Sequence, residues 1–194
     1  MVISMNMPPS LTEPHRLKLR IEDFTLLDHA GVFDAYGKVE LIDGVIEVMN
    51  AEFRRHNRIK NYLTRRLQRA LEDIGSRYEA FSESSLALPS HDLPQPDVIV
   101  ARGGSDDRYY EVGDLAIVVE VADSTVARDL GVKCALYSAH GVPEYWVVAV
   151  ASGEVHQFWD PGVDGFAARR MVPLEGELTS ATMPELAIDG RGIL

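Results

Sequence analysis

The chain has a single cysteine, Cys134. No internal disulfide can form, and one thiol alone cannot build a zinc site. Long apolar runs are missing too: no stretch approaches the roughly 20 residues that a membrane span requires. The opening MVISMNMPPSLTEPH lacks the basic start and apolar run of a secretion signal, so the expected location is the cytoplasm, with no membrane partner. Basic charge is scarce. Lys and Arg number 19 against 30 Asp and Glu, a formal net charge of −11. That balance argues against a protein that coats nucleic acid by bulk electrostatics, but leaves room for an enzyme with one local basic face.

What is present is ordinary for a globular chain. Its 194 residues, 46% hydrophobic and 25% charged, suffice for one domain with a sizeable core. Residues 1–16 show little pattern and are expected to form a flexible end, leaving 17–194 as a single domain. Residues 24–36 are a short helical candidate. ELIDGVIEVM, residues 40–49, reads as a hairpin because Asp43-Gly44 is a strong two-residue turn signal between apolar arms. Residues 53–74 read as a helix ended by Gly75. Strand candidates follow at 78–88, 97–101 and 115–122. A second helix over 126–140 is entered through Asp123-Ser124-Thr125, all good capping residues, and left through Gly141. A strand at 144–150 and a closing hairpin over 154–159 and 166–172 complete the pattern. The order helix, three strands, helix, strand predicts an α/β fold: a mixed sheet with helices packed on it.

The first long helix has two faces. Ile59, Leu63, Leu67, Ala70, Leu71 and Ile74 share one arc, while Arg54, Arg55, Arg58, Arg65, Arg66 and Arg69 share another. No acidic residue occurs between Phe53 and Leu71. The arginines are either a solvated face or a surface for phosphate backbones. His56 projects into the apolar arc, where it serves either as a hydrogen-bonded core residue or as a catalytic group.

Two acids stand in apolar runs. Asp97 follows Pro96 and opens Val98-Ile99-Val100, and Glu120 sits inside LAIVVEVA. A buried unpaired carboxylate is costly, so each needs a partner. A divalent cation held by both would satisfy them together, and an Arg or Lys partner would satisfy Glu120 alone. Lys133 lies amid the apolar stripe of the second helix, one turn from Asp129, which an i,i+4 pair would link to it. It either snorkels to solvent or points at a site where it would orient water or offset charge on a phosphate. Glu40 opens the first hairpin and is a fourth candidate.

These residues recur in a known order. Glu40–Gly44 (ELIDG), His56, Gln95–Val98 (QPDV), Val118–Val121 (VVEV), the Asp129-Lys133-Tyr137 spacing and Gly141–Trp146 (GVPEYW) resemble the Uma2 family over roughly residues 20–190. That family is similar in fold to the PD-(D/E)xK nucleases. The resemblance implies a restriction-endonuclease-like core with added N- and C-terminal hairpins. It implies a catalytic set of Glu40, His56, Asp97, Glu120 and Lys133, with Mg²⁺ or Mn²⁺ held by Asp97 and Glu120. Cleavage of DNA by a homodimer is the matching expectation, and a non-catalytic nucleic-acid-binding or interaction module on the same fold is the alternative. Three positions depart from the pattern. Ala122 stands where the E-x-K lysine belongs, so Lys133 is the implied substitute. Ala122-Asp123-Ser124 replaces a Ser-Pro-Ser, and Ala149 replaces an Asp.

The second helix also presents Ala127, Gly131, Cys134, Ala135 and Ser138 on its outward face. Such small side chains admit a close neighbour, either residues beyond 151 or the second subunit of a twofold dimer.

Overall fold

The computed structural model describes residues 16–50, 53–104 and 107–194. The expected flexible end, apart from Arg16, lies outside them. A short helix, α1 (Ile21–His29), precedes the hairpin of β1 (Val39–Ile42) and β2 (Val45–Val48). Its turn falls on Asp43 and Gly44, whose φ values of 50° and 73° are both positive. That is the left-handed geometry a tight hairpin with right-handed strand twist demands. The hairpin pairs Glu40 with Glu47 and forms a sheet of its own.

The long helix α2 (Arg54–Asp73) follows, buried along Ile59, Leu63, Leu67 and Leu71. The spacing of four keeps these side chains in one stripe, and full burial of each contributes about 1.5–3 kcal/mol. Gly75, with φ 62°, ends the helix. The strands β3 (Tyr78–Ser82), β4 (Leu86–Ala87), β5 (Val98–Arg102) and β6 (Tyr110–Glu111) come next. The predicted strand over 78–88 is broken at Glu83, where φ is 53°. The strand β7 (Leu115–Ala122) is buried at all eight positions.

The second helix is three pieces in one run: α3 (Val126–Arg128), a π-helical turn (Asp129–Lys133) and α4 (Cys134–Ala139). It crosses from β7 to its parallel neighbour β8 (Glu144–Ala149). The strands β9 (Glu154–Trp159) and β10 (Ala168–Pro173) extend the same sheet, and β11 (Glu177–Thr179) with β12 (Ala187–Asp189) makes a small hairpin beyond it.

The six-stranded sheet has the order β10-β9-β8-β7-β5-β3. Only β7 and β8 are parallel within it, so the sheet is mixed as expected. One face packs α2 with Val98, Val100, Val119, Val121, Trp146 and Val148. The opposite face packs Tyr137 of α4 with Ile99, Val118, Tyr145 and Val147. Strand alternation therefore turns Glu120, two residues from Val118, toward the helix that carries Lys133. Phe24, Phe33, Leu41 and Leu93 form a smaller cluster that seats α1 and the first hairpin. No helix among the described residues is long and apolar enough to cross a membrane.

Candidate active site

The end of β7, the start of α2 and the start of α3 enclose a cavity of about 340 Å³. His56, Asp97, Glu120 and Lys133 line it, together with Lys38, Phe53, Thr125 and Asp129. Four of the five residues picked from the sequence thus share one chamber. The fifth, Glu40, is fully buried behind it rather than in its wall.

Glu120 is the centre of the charge network. Its Oε1 accepts hydrogen bonds from Lys133 Nζ and from the Tyr137 hydroxyl, each at 2.9 Å. Burial pushes its pKa up from 4.5 to about 7, against the opposing pull of Lys133. Burial alone would lower the Lys133 pKa. The Glu120 and Glu40 carboxylates reverse that and hold the ammonium firmly protonated. Glu40 Oε1 lies 3.2 Å from Lys133 Nζ and also accepts the Gln95 backbone N–H at 3.0 Å. Among the described residues its Oε2 accepts no hydrogen bond, and it stands 3.8 Å from Arg128, which also pairs with Glu47. Glu40 is therefore an anchor for the lysine.

Asp97 is tied to β7 through Oδ2, which accepts the Val121 N–H at 2.7 Å. His56 Nε2 lies 2.7 Å from the Val121 carbonyl and 3.2 Å from that same Oδ2. A carbonyl only accepts, so Nε2 carries a proton. Burial disfavours charge on Asp97, but His56, Lys38 and the Val121 amide outweigh it and hold the pKa below the usual carboxylate range. His56 thereby acts as the clamp between α2, β7 and Asp97.

The pairing expected between Asp129 and Lys133 is not what holds them. Asp129 accepts from Thr125 Oγ1 at 2.6 Å, and the lysine turns to the two glutamates. Burial raises the Asp129 pKa.

The oxygens facing the cavity decide what it can hold. Asp97 and Glu120 each use one oxygen on protein donors, and among the described residues the other accepts no hydrogen bond. Hard carboxylate oxygens suit Mg²⁺ or Mn²⁺. No group of three His, Cys, Asp or Glu side chains among the described residues is gathered to hold a metal ion. An ion on this pair would complete its shell with water, as Mg²⁺ does readily. The donor set fits.

A family model described as "Putative restriction endonuclease", Uma2, matches residues 21–189. The chain belongs to the Uma2 family. A solved structure from Anabaena variabilis ATCC 29413, described as a putative nuclease belonging to DUF820, superposes with a TM-score of 0.59 at 13% identity. The match covers 80% of this chain and 88% of that one, which establishes a shared fold. No curated protein matches the chain.

Within this Uma2 site, sequence reasoning passed over Lys38, read Thr125 only as a helix cap and gave Tyr137 no role. Lys38 lies in the loop just before β1, two residues from Glu40, and its Nζ is 3.9 Å from Glu40 Oε1. Thr125 could have been found as the residue four before Asp129. Tyr137 lies four beyond Lys133, which in a helix means the same face.

Proposed function

We propose that this Uma2 protein is a metal-dependent endonuclease that hydrolyses phosphodiester bonds in DNA. The observation that supports this best is the Lys133 ammonium, 2.9 Å from Glu120, in a cavity also lined by Asp97. The Asp97–Glu120 pair would hold Mg²⁺ or Mn²⁺, which makes water more acidic and offsets charge on a phosphate.

Held protonated, Lys133 cannot take a proton from water. It serves as a donor that orients the attacking water or meets the charge growing on the phosphate oxygens. Tyr137 keeps Glu120 turned to the cavity, Glu40 keeps Lys133 extended, and His56 fixes Asp97. Lys38 adds a second ammonium to the lining of the cavity.

Calorimetric titration with Mn²⁺ and a cleavage assay on DNA test the reading together. The wild type should bind and cut. Asp97→Asn should do neither while keeping its circular dichroism spectrum. No Mn²⁺ binding at millimolar concentration would leave the non-catalytic binding module as the better account.

We propose further that the protein pairs as a homodimer through the outward face of α3–α4. Part of that face is covered within the chain: Ser138 is buried and bonds to the backbone of Gly162. Ala127, Gly131 and Ala135 remain exposed beside Val132, which is 55% exposed. Light scattering at tens of micromolar should show a dimer that Ala135→Glu dissociates; a monomeric wild type would exclude it.

A further inference from the structure

The acids of the candidate site are out of reach of any surface laid flat on the protein. Asp97 is 5% exposed and Glu120 4% exposed. A phosphodiester must therefore enter the cavity to meet them. The same cavity is lined by a side chain of opposite character: Phe53 is 77% exposed.

Among the described residues, that phenyl ring is not packed into the core: it belongs to none of the three buried clusters. It also occupies the N-cap of α2 and makes no side-chain hydrogen bond there, where Ser, Thr, Asp or Asn would satisfy a free helix N–H. An aromatic ring at this position forgoes a cap and faces water. Directly after it come Arg54 and Arg58, both exposed, one helical turn apart on the outer surface. Neither is engaged in an ion pair among the described residues. An exposed aromatic ring lining the chamber, with two exposed guanidinium groups on the outer surface of the same helix, is an arrangement by which proteins hold unpaired nucleotides. Bases stack on the ring and cations follow the backbone.

A duplex fits this arrangement poorly. Its bases are already stacked on each other and offer no free face to the ring without local unstacking. It also brings charge at high linear density toward a chain whose net charge is −11.

We infer that the substrate is single-stranded DNA, with a base stacked on Phe53 and the adjoining phosphodiester inserted into the cavity. This rests on the nuclease reading for the identity of the ligand, but makes Phe53 a specificity-determining residue in its own right.

Fluorescence anisotropy with a labelled 12-nucleotide oligothymidine, and with the same label on an oligothymidine–oligoadenine duplex, measures it without turnover when EDTA is present. Wild type should favour the single strand by about ten-fold or more. Phe53→Ala should weaken single-strand binding by about five- to a hundred-fold, the range of base–aromatic stacking, with an unchanged melting temperature. Phe53→Trp should retain binding, and its added indole emission should be quenched by the oligonucleotide. Equal affinity of wild type and Phe53→Ala for the single strand, or preference for the duplex, would overturn the inference. Cleavage assays with Mg²⁺ separate the two readings. If duplex is cut and Phe53→Ala cuts it equally well, the nuclease stands and the single-strand inference falls. Phe53-dependent binding with no cleavage of either DNA would leave the inference standing and remove the nuclease.

Discussion

Lys133 holds two buried carboxylates at once, 2.9 Å from Glu120 and 3.2 Å from Glu40. Replacing it with Met would leave Glu120 in the interior with only the Tyr137 hydroxyl as a donor. A buried charge stripped of its partner costs about 3–5 kcal/mol, and Lys133→Met should lose that much stability by urea denaturation at pH 8. Glu120→Gln is milder, because Lys133 keeps Glu40; a change within about 1 kcal/mol is expected. Equal losses for the two variants would mean that Glu40 does not hold the lysine. Protonation gives a second handle on Glu120. Its carboxyl ionises near 4.5 when unfolded and near about 7 when folded. Between those values the folded chain keeps a proton that the unfolded chain has released. Stability from this group is thus full below the lower value and declines as pH rises through the upper one. The slope is at most about 1.4 kcal/mol per pH unit. Unfolding free energies measured in EDTA from pH 4.5 to 8 should show that decline in wild type and not in Glu120→Gln. Parallel curves would refute it.

The first hairpin shows what a local signal can and cannot reveal. Asp43-Gly44 announces the turn, and β1 and β2 lie where the alternation puts them. A Cβ on Gly44 would fall 2.5 Å from Lys18 Cβ, at a φ of 73°. Gly44→Ala should therefore cost about 1–3 kcal/mol in stability and slacken Glu40, three residues before the turn. A variant as stable as wild type by denaturation would show that the turn tolerates a side chain. Some longer elements were legible almost to the residue, although the helix expected over 24–36 lies at Ile21–His29. β7 and β9 match their predicted limits because each is an apolar or alternating run between turn signals. β4 and β6, two residues each, are too short to show a period. The π-helical turn is hidden for another reason: a spacing of four looks the same in sequence whether the turn is α or π. At the site, Asp97, Glu120 and Lys133 were visible as charges out of place in apolar runs. The roles of Glu40 and His56 came from the family resemblance, since an acid opening a strand and a lone histidine are common. Lys38 was hidden by its place in a loop, where charge is unremarkable.

At the scale of the whole molecule, residues after β10 return to the face that α2 covers, burying Leu174, Leu178, Leu186, Ile188 and Ile193. Glu144, fully buried, ties this return to β8. Its carboxylate accepts from Trp146 Nε1 and Ser180 Oγ at 2.6 Å, and from Thr182 N and Oγ1 at 2.9 and 2.8 Å. Glu144→Leu leaves these donors unsatisfied and should lower stability by at least about 3 kcal/mol, read by denaturation. A near-neutral outcome would mean that apolar packing alone holds the segment. The separate pairing of β1 and β2 has a consequence in time. Glu120 and Lys133 sit in one crossover, near in the chain, whereas Glu40 arrives on a hairpin that hydrogen-bonds to no strand of the six-stranded sheet. That hairpin can lift away without tearing the sheet, and regions so placed open at lower free energy than the core. Hydrogen exchange should run ahead at 39–48 and lag at 115–122 and 144–149. Each such opening would release the anchor of Lys133 while Glu120 stays in place, so the lysine would pass in and out of register on the rhythm of the hairpin rather than of the central sheet.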